Sequence, residues 1–333
     1  TVAAGRVSFI AENTGGITHE LVVLRLAAGQ GAGERVIGSG DRGDEVASVG
    51  EASRACAAGT GEGTRPGAAG GGTPAPKHNR AAPAGLGIRG RPALNKLDVV
   101  MRGDVEVQDE GSQLLALMVG AKRGEMVMDF CAGAGGKTLA LGAEMRNTGR
   151  LYAFDTSGHR LASLKPRLAR SGLSNVHPVQ IAHERDAKIK RLAGKIDRVL
   201  VDAPCSGLGT LRRNPDVKWR QKIEAIAEMQ EKQASILDGA ARLLKGGGRL
   251  VYATCSLLDE ENDFIVEQFL AAHPEFDLVP MSQVLAEQKI ELEMGDYLKL
   301  LPHKHQTDGF FAAVMQRKPI EKKAPKEAPA DDV

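Results

Sequence analysis

The sequence predicts an α/β fold built around a mostly parallel, doubly wound sheet. From Glu106 onward, apolar runs that end in turn residues alternate with helical stretches for about two hundred residues, which is the rhythm of βαβ units. A glycine-rich turn stands between the first strand and the first helix of this region, and acidic residues or cysteines follow several strands. Open α/β sheets bind their ligands at strand ends, so these polar residues are the candidates for a functional site.

Each predicted element follows from an apolar run and the turn residues that bound it. The predicted strands of the parallel sheet are, in order, Met126 to Phe130, Leu151 to Phe154, Val176 to Ile181, Ile196 to Val201 and Arg249 to Ala253. The predicted helices are Lys137 to Met145, His159 to Ser171, Ile223 to Leu244 and Phe264 to Ala272. Two further segments, Glu275 to Met281 and Phe310 to Gln316, are expected to close the sheet edge as an antiparallel pair.

Residues 1–92 differ in composition from the rest of the chain. They hold about half of the forty glycines, together with low-complexity runs such as Pro74-Ala75-Pro76, and this composition cannot support a packed core by itself. Only Glu20 to Ala28 is a candidate strand or helix. We expect a poorly ordered, Gly/Ala-rich N-terminal segment over residues 1–92, and a disordered Lys/Pro/Ala-rich tail over residues 318–333.

The overall composition is that of a globular protein. With 42% hydrophobic residues the chain can bury a sizeable core, and it shows neither an apolar run long enough to span a membrane nor the pattern of a signal peptide. The four cysteines are far apart and form no C-x-x-C pair, which argues against a metal site or a disulfide scaffold. We therefore expect a monomeric cytoplasmic protein without a metal.

A glycine-rich turn, Asp129 to Thr138, can bring backbone N–H groups close to a ligand. A P-loop would need glycine at position 131, which is Cys131, and a dinucleotide fingerprint would need glycine at position 138, which is Thr138. Both interpretations fail on spacing, so an adenosyl cofactor is the class that remains. Its ribose hydroxyls require an acid at the end of the next strand, and Asp155 occupies that position. Asp186, after the third strand, is either a second cofactor contact or a solvated loop carboxylate.

Two cysteines follow the fourth and fifth predicted strands. Cys205 lies in Asp202-Ala203-Pro204-Cys205-Ser206-Gly207, and Cys255 lies in Ala253-Thr254-Cys255-Ser256. A single buried cysteine is usually an inert apolar residue, but a pair beside an acid suits methyl transfer to carbon-5 of cytosine. A thiolate that adds to carbon-6 makes the ring electron-rich, and a carboxyl group at the ring nitrogen offsets the charge that develops. Cys255 and Asp202 fit these two roles, and Cys205 could assist product release.

At these residues the chain resembles the RsmB/Sun group of RNA cytosine carbon-5 methyltransferases, which modify small-subunit rRNA in bacteria. The resemblance extends from Val107 to Arg317, and its six motifs occur in the order expected for that group. They are Val107-Gln108-Asp109-Glu110-Gly111-Ser112, the Cys131 to Thr138 loop, Asp202-Ala203-Pro204-Cys205-Ser206-Gly207, Arg212-Arg213-Asn214-Pro215-Asp216 with Lys218-Trp219, Thr254-Cys255-Ser256 with Glu261-Asn262, and Asp308-Gly309-Phe310-Phe311.

The resemblance implies a Rossmann-like, seven-stranded class I methyltransferase domain over residues 93–317 that uses S-adenosyl-L-methionine to methylate a cytosine of RNA. By motif position it implies Cys255 as nucleophile, Cys205 in product release and Asp202 at the cytosine ring. The implied cofactor contacts are Cys131, Ala132, Gly133, Ala134, Gly135, Gly136, Lys137, Asp155, Asp186 and Asp202. Members of the group commonly carry a helical RNA-binding domain and a small α+β module before the catalytic domain, and residues 1–90 match neither.

The expected partner is RNA, above all rRNA. Residues 185–220 carry ten Lys/Arg against four Asp/Glu, so they either face phosphate groups or form a solvated surface. Arg212, Arg213 and Lys218 are the candidate phosphate contacts, and we predict that Trp219 packs beneath the loop, the alternative being that it stacks on a base. Two other functions stay open: a tRNA cytosine methyltransferase, and a non-catalytic RNA-binding or ribosome-assembly protein. A nicotinamide dehydrogenase is disfavoured because its glycine spacing is missing.

Overall fold

The computed structural model describes residues 9–12, 18–23, 77–78, 82, 85–89 and 93–320. Its strands are β1 (Phe9–Glu12), β2 (Thr18–Val23), β3 (Lys77–His78), β4 (Gly85–Arg89), β5 (Val105–Val107), β6 (Met126–Asp129), β7 (Arg150–Asp155), β8 (Val176–Gln180), β9 (Ile196–Asp202), β10 (Leu244–Thr254), β11 (Phe276–Val279), β12 (Leu298–Leu300) and β13 (Phe310–Arg317). Its α-helices are α1 (Asp98–Met101), α2 (Glu110–Val119), α3 (Gly136–Glu144), α4 (Gly158–Ser171), α5 (Ala187–Lys190), α6 (Val217–Arg220), α7 (Ile223–Ala241), α8 (Asp263–Ala272), α9 (Met281–Glu287) and α10 (Pro302–His305). Short 3-10 helices occupy Leu94–Lys96, Leu208–Thr210 and Asp259–Glu261.

The main sheet has the strand order β11-β13-β10-β9-β6-β7-β8, and β12 pairs with β13. The five strands from β10 to β8 in this order are parallel, whereas β13 runs antiparallel to both β10 and β11. The strand order reverses between β6 and β9, and such a reversal leaves a crevice at the carboxyl ends of the two strands. The predicted α/β fold with a seven-stranded sheet is confirmed, and β12 adds an eighth strand.

Side chains that alternate along the strands supply apolar residues to both faces of this sheet. In β6, Val127 packs on one face and Met128 on the other, and Val251 and Tyr252 of β10 divide in the same way. Helices α2, α3, α4 and α9 cover the first face, and α5, α7 and α8 cover the second. These four strand side chains are fully buried, so the strand ends extend from a close-packed, two-sided core.

Helix α2 is an element that the sequence pattern did not predict. The side chain of Asp109 accepts the Gly111 N–H at 2.8 Å and caps its first turn, and Gly120, with φ 60°, ends it in the left-handed conformation. Nine of its ten residues are buried. A helix that is covered almost all round has no polar face, so it lacks the amphipathic period by which helices are recognised.

The boundary between α7 and β10 also differs from the prediction. The sequence predicts the strand at Arg249 to Ala253, but β10 already begins at Leu244. A glycine run, residues 246–248, separates the two starting points and is typical of a turn. In the structure the pairing of β10 with β9 instead shifts register between Leu244 and Arg249, and Gly247 takes φ +77°. The glycines therefore form an irregularity within the strand rather than a turn before it.

A second sheet has the order β3-β4-β1-β2-β5. Strand β2 overlaps the candidate element at Glu20 to Ala28, whereas β1, β3 and β4 were not predicted, because strands this short hold too few positions to display an alternating pattern. The rest of residues 1–92 and residues 321–333 lie outside the described residues, so the expectation of disorder there is not tested. Over the described part of the chain, no helix has the length and apolar character needed to cross a membrane.

Candidate active site

Four parallel strands end side by side around the crevice between β6 and β9. β6 ends at Asp129, β7 at Asp155, β9 at Asp202, and β10 at Thr254, which precedes Cys255. The parallel pairing of these strands brings their carboxyl ends to one edge of the sheet. Most of the acids and cysteines predicted from the sequence therefore meet in one site.

The turn after β6 packs closely against α4 and β7. Gly133 and Gly135 have φ +54° and +85°, a region that side chains disfavour, and a Cβ at Gly135 would lie 2.1 Å from Leu164 Cδ1. The N–H of Gly133 donates to Asp155 Oδ2 at 2.8 Å, and the N–H of Ser157 donates to Asp155 Oδ1 at 2.7 Å. These bonds fix the Asp155 carboxyl group beside the turn, while a Cβ at Gly133 would meet open space.

The other members of this turn are held by backbone contacts. The N–H of Ala132 donates to the Phe154 carbonyl at 2.9 Å, and Arg167 Nη1 donates to the Ala134 carbonyl at 2.5 Å. Burial raises the pKa of Cys131 well above its usual range, so its thiol is neutral. Gly136 begins α3, and no side chain caps this helix N-terminus.

Asp129 is a buried acid at the base of the turn. Burial raises its pKa to about 7, although the hydrogen bond that its Oδ2 accepts from Thr138 Oγ1 at 2.7 Å acts in the opposite direction. Its other oxygen, Oδ1, is buried and has no hydrogen-bond partner among the described residues. Such a group is costly unless a ligand supplies the missing donor.

Lys137, in the first turn of α3, connects this helix to the end of β9. Its Nζ lies 2.8 Å from Asp202 Oδ2 and 5.7 Å from the centre of the Phe310 ring. Burial lowers the pKa of Lys137, but the charge and hydrogen bond of Asp202, together with the charges of Asp129 and Cys255, outweigh it. The pKa is therefore raised and the ammonium group keeps its charge. The crevice thus contains a cation held against a carboxylate.

The two predicted cysteines are in contact. Cys205 Sγ and Cys255 Sγ lie 3.3 Å apart as free thiols. Their hydrogen bond lowers the pKa of Cys255, where Lys137 acts in the same direction against burial and Asp202. The same hydrogen bond and burial raise the pKa of Cys205 well above its usual range. Cys255 is therefore the thiol that ionises first, as a nucleophile must.

A buried ionic cluster ties the loop after β9 to α2 and to the turn before β13. Arg212 Nη2 lies 3.1 Å from Asp308 Oδ1, and Arg213 Nε lies 2.7 Å from Asp308 Oδ2. The two guanidinium groups also lie 3.6 Å and 3.3 Å from Asp109 Oδ2. Burial and the charge of Asp308 raise the pKa of Asp109. Both arginines thus have acidic partners inside the protein, and their contact with phosphate stays a prediction.

Lys218 and Trp219 lie on the surface of α6. Lys218 Nζ is 5.0 Å from the centre of the Trp219 ring, and Trp219 is 80% exposed. The prediction that Trp219 packs beneath the loop is therefore wrong, because α6 has only four residues and buries none of them. One residue past α6, Gln221 Nε2 donates to the Ser206 carbonyl at 2.6 Å, which ties this surface to the loop that carries Cys205.

Asp186 is the N-cap residue of α5. It accepts the N–H groups of Ala182 at 2.9 Å and Lys188 at 2.8 Å, and these bonds lower its pKa. A helix cap of this kind is compatible with either predicted role, the cofactor contact or the solvated carboxylate.

Two buried acids beside the site are residues for which the sequence predicted no function. Asp308 belongs to the ionic cluster, and Glu261 is buried next to the two cysteine loops. Both stand in motifs of the resemblance, but their partners are 95 and 55 residues away in the chain, so no local period could reveal them. Within the ranges that the structure describes, no group of three or more His, Cys, Asp or Glu side chains could hold a metal ion.

Comparison with known proteins finds similarity over the region that builds this site. A family model described as 16S rRNA methyltransferase RsmB/F matches residues 116–316. The chain is 39% identical over 223 residues to the probable ribosomal RNA small subunit methyltransferase B of Bacillus subtilis (strain 168), which covers 65% of this chain and 48% of that protein. Identity to the protein of the same description from Synechocystis sp. is 36% over 236 residues, or 71% and 53% of the two chains.

A solved structure shares the fold. The crystal structure of NSun6 from Pyrococcus horikoshii with SFG matches with a TM-score of 0.59 and 28% identity, over 68% of this chain and 57% of that one. The chain spans about half the length of the curated relatives that it matches. The similarity therefore concerns the sheet and its crevice rather than the whole of those proteins.

Proposed function

Because this chain belongs to the 16S rRNA methyltransferase RsmB/F family, we propose that it methylates carbon-5 of a cytosine in RNA, with S-adenosyl-L-methionine as the methyl donor. The proposed substrate is small-subunit rRNA in the cytoplasm, in keeping with the names of the curated relatives. The observation that carries the proposal is the pair of free thiols, Cys205 and Cys255, 3.3 Å apart beside the ion pair of Lys137 and Asp202.

The turn after β6 and the acids around it fit an adenosyl cofactor. Asp129 Oδ1 is buried and receives no hydrogen bond from the part of the chain that the structure describes. The amino group of such a cofactor would supply a donor. Asp155, held by two backbone N–H groups, keeps lone pairs for ribose hydroxyls. The residues proposed to hold the cofactor are residues 131–137, Asp155, Asp186 and Asp202, and the similar NSun6 structure was solved with SFG, an S-adenosyl-L-methionine analogue. When bound, S-adenosyl-L-methionine supplies an electrophilic methyl group for carbon-5.

The nucleophilic step belongs to Cys255. Its lowered pKa favours the thiolate, which forms a bond to carbon-6 of the cytosine while the electron pair of the C5–C6 double bond moves onto the ring. The negative charge that develops on the ring is offset by the ammonium group of Lys137, which lies 2.8 Å from Asp202. Asp202 contacts the cytosine ring and holds it beside that ammonium group. Carbon-5 is thereby made nucleophilic enough to accept the methyl group.

The release step suits Cys205. Once Cys255 is bonded to carbon-6 it no longer holds the thiol hydrogen bond that is the largest cause of the raised pKa of Cys205. Cys205 can then lose its own proton to solvent water and, as a thiolate, accept the proton of carbon-5. The electron pair of that C–H bond re-forms the C5–C6 double bond, and the pair of the C6–S bond returns to Cys255 as a thiolate.

RNA contacts are proposed at the surface of α6. An exposed indole beside an ammonium group suits an unpaired nucleotide, because the ring stacks on a base while Lys218 faces phosphate. Trp219 is two residues from Gln221, so its backbone lies within about 7.6 Å of the residue that holds the Cys205 loop. Nucleotides next to the target cytosine are therefore the proposed ligands. Arg212 and Arg213, with side chains 22% and 32% exposed, would reach phosphate as members of the ionic cluster.

Trp219 is the only tryptophan of the chain, so its fluorescence reports on this surface directly. We expect an unstructured cytosine-containing oligoribonucleotide to quench the fluorescence. Trp219→Ala should weaken binding by roughly 1–3 kcal/mol, whereas Trp219→Phe should keep most of the affinity. Phe264→Ala removes another exposed aromatic side chain and serves as the control. Unchanged fluorescence together with an unchanged dissociation constant for Trp219→Ala would rule this contact out.

The proposed reaction is tested by transfer of tritium from methyl-labelled S-adenosyl-L-methionine to purified 16S rRNA and, in parallel, to tRNA. Cys255→Ala should abolish labelling of 16S rRNA, and Cys205→Ala should accumulate a denaturation-resistant protein–RNA adduct because release fails. Cys56→Ala, a cysteine without a role in the proposal, is the matched control and should label normally. Label on tRNA alone would replace the proposed substrate, and a chain that binds the cofactor yet labels neither RNA would contradict the activity.

A further inference from the structure

The loops that carry the two cysteines share one buried carboxyl group. Ser206 follows Cys205, and Ser256 follows Cys255. Between them lies Glu261, the last residue of the 3-10 helix Asp259–Glu261, whose side chain is fully buried. Neither the nucleophilic step nor the release step uses this residue.

Glu261 binds both serines at once. Its Oε1 accepts the Ser206 N–H at 2.8 Å, and its Oε2 accepts the Ser206 hydroxyl at 2.5 Å and the Ser256 hydroxyl in a short hydrogen bond. The two hydroxyl oxygens are themselves 3.1 Å apart. Gln233 Nε2 donates both to Glu261 Oε1 at 3.1 Å and to the Pro204 carbonyl at 2.9 Å. Glu261 thus fixes the residue after each cysteine, and Gln233 links it to Pro204, the residue before Cys205.

The backbone that carries Glu261 is anchored to β10. Tyr252 donates its hydroxyl proton to the Glu261 carbonyl at 2.7 Å. The neighbouring Asn262 accepts the Thr254 hydroxyl at 2.5 Å and donates to the Ser256 carbonyl at 3.1 Å. Glu261 is therefore a fixed support for the loops rather than a mobile side chain that happens to reach them.

If Glu261 served only to pack the space between the loops, a carboxyl group would not be needed at this position. Burial of a carboxyl group costs free energy unless hydrogen bonds compensate for lost hydration, and within residues 93–320 Glu261 makes no ion pair that would do so. Its compensation comes from two hydroxyls, a backbone N–H and an amide. Four neutral donors from three separate segments meet on this one group, which couples the positions of those segments.

We propose that Glu261 is a positioning residue that holds Cys205 and Cys255 at the distance where one thiol donates to the other. This inference rests on the proposed function for its catalytic consequence, because the passage from nucleophilic attack to release needs both sulfur atoms at the same ring. It also has a consequence that involves neither RNA nor cofactor. The thiol hydrogen bond lowers the pKa of Cys255, so loosening either loop raises it.

The test uses Glu261→Gln, which keeps the side-chain shape but replaces one acceptor oxygen by an NH2 group that cannot accept the serine donors. Alkylation of Cys255 by iodoacetamide is followed against pH by peptide mass spectrometry on the full chain. In Glu261→Gln we expect the midpoint of Cys255 alkylation to move to higher pH, towards the midpoint found for Cys205→Ala. We expect kcat for RNA methylation to fall on the order of 100-fold, with KM for the cofactor unchanged, as for a displaced catalytic group. Glu260→Gln, the exposed neighbouring acid, is the matched control.

Two results would overturn the proposal: a wild-type alkylation profile in Glu261→Gln, or a normal kcat despite a shifted profile. If Glu261→Gln does not fold cooperatively, the double variant Ser206→Ala/Ser256→Ala removes the two hydroxyl donors and leaves the acid in place. The same shift and loss are expected, and their absence would equally overturn it. If the wild-type chain methylates no RNA, but Glu261→Gln still shifts the alkylation midpoint of Cys255, the proposed function is rejected and the positioning role of Glu261 stands.

Discussion

Cys255 is the proposed nucleophile, and its proposed reactivity depends on its contact with Cys205. The thiol hydrogen bond at 3.3 Å is the largest cause of its lowered pKa. Cys205→Ala removes that donor, so the pKa of Cys255 should rise and its thiolate should form at higher pH. The pH at which iodoacetamide alkylates Cys255 at half its maximum rate measures this change. A midpoint that is unmoved or lower in Cys205→Ala would show that the hydrogen bond does not activate Cys255.

Asp129 should make stability depend on pH in an unusual direction. Its pKa is about 7 in the native state because of burial, against about 3.9 in the unfolded chain. Between these values the native state binds more protons, so the free energy of unfolding falls as pH rises from 4 to 7 and is constant above. Asp129→Asn removes this loss. The free energy of unfolding of the variant should therefore increase by about 3 kcal/mol relative to that of the wild type when the pH is raised from 5 to 8.

Urea unfolding of the cofactor-free protein at the two pH values measures the difference. The asparagine keeps an acceptor for the hydroxyl of Thr138, which bonds Asp129 Oδ2, so the comparison isolates the charge. If the stability difference between Asp129→Asn and the wild type is the same at pH 5 and pH 8, the Asp129 carboxyl group does not cause the pH dependence of stability.

The turn after Cys205 lies close against the turn before β13. The Gly309 N–H donates to the Gly209 carbonyl, and the Gly209 N–H donates to the Cys255 carbonyl, both at 2.8 Å. A Cβ at Gly209 would lie 2.1 Å from the Gly309 carbonyl oxygen. Gly209→Ala should therefore separate the loops, lower the free energy of unfolding by about 1–3 kcal/mol and reduce kcat more than it raises KM.

The matched control is Gly295→Ala, at a glycine where an added Cβ would meet nothing within 4 Å. Thermal unfolding and RNA methylation are measured for both variants. If Gly209→Ala unfolds and reacts like Gly295→Ala, the close approach of the two loops is not required for the site.

Across the molecule, long-range contacts gather motifs that are far apart in the chain. The ionic cluster joins Asp109 at the start of α2, Arg212 and Arg213 after the Cys205 loop, and Asp308 before β13. Asp308 is fully buried, and a buried acid is strongly destabilising when it loses its partners. The cluster therefore holds three loops around the crevice as one unit.

Because the proposed cofactor binds at strand ends from several parts of the sheet, it should stabilise the whole domain. At a concentration one hundred times its dissociation constant, S-adenosyl-L-methionine should add about 2.7 kcal/mol, or roughly 5–10 °C in Tm. Asp155→Ala should remove most of this increase. Asp277→Ala, an exposed acid on β11, should retain it, and an equal increase in both variants would exclude Asp155 from the cofactor site.

Much of the main sheet, and the candidate residues at its strand ends, could be predicted from local patterns in the sequence. The strand from Ile196, the helix at His159 to Ser171 and the closing antiparallel pair were predictable, because apolar period and turn residues act within a few positions of the chain. The residues that follow each predicted strand could be identified from the same pattern. Parallel strands bring their carboxyl ends to one edge of the sheet, so these residues were expected to lie together. Cys205, Cys255 and Asp202 were therefore candidates before any coordinates were known.

The contacts among these residues, and their exposure to solvent, depend on the tertiary fold. The contact of the two sulfur atoms at 3.3 Å spans 50 residues of chain, and the bond from Ser206 to Glu261 spans 55. Trp219 was assigned to packing from its residue type, yet its helix is too short to cover it. Helix α2 escaped prediction because it is buried almost all round. Pairing, burial and partnership at such separations depend on how distant segments pack against each other, and no local pattern of residues encodes that packing.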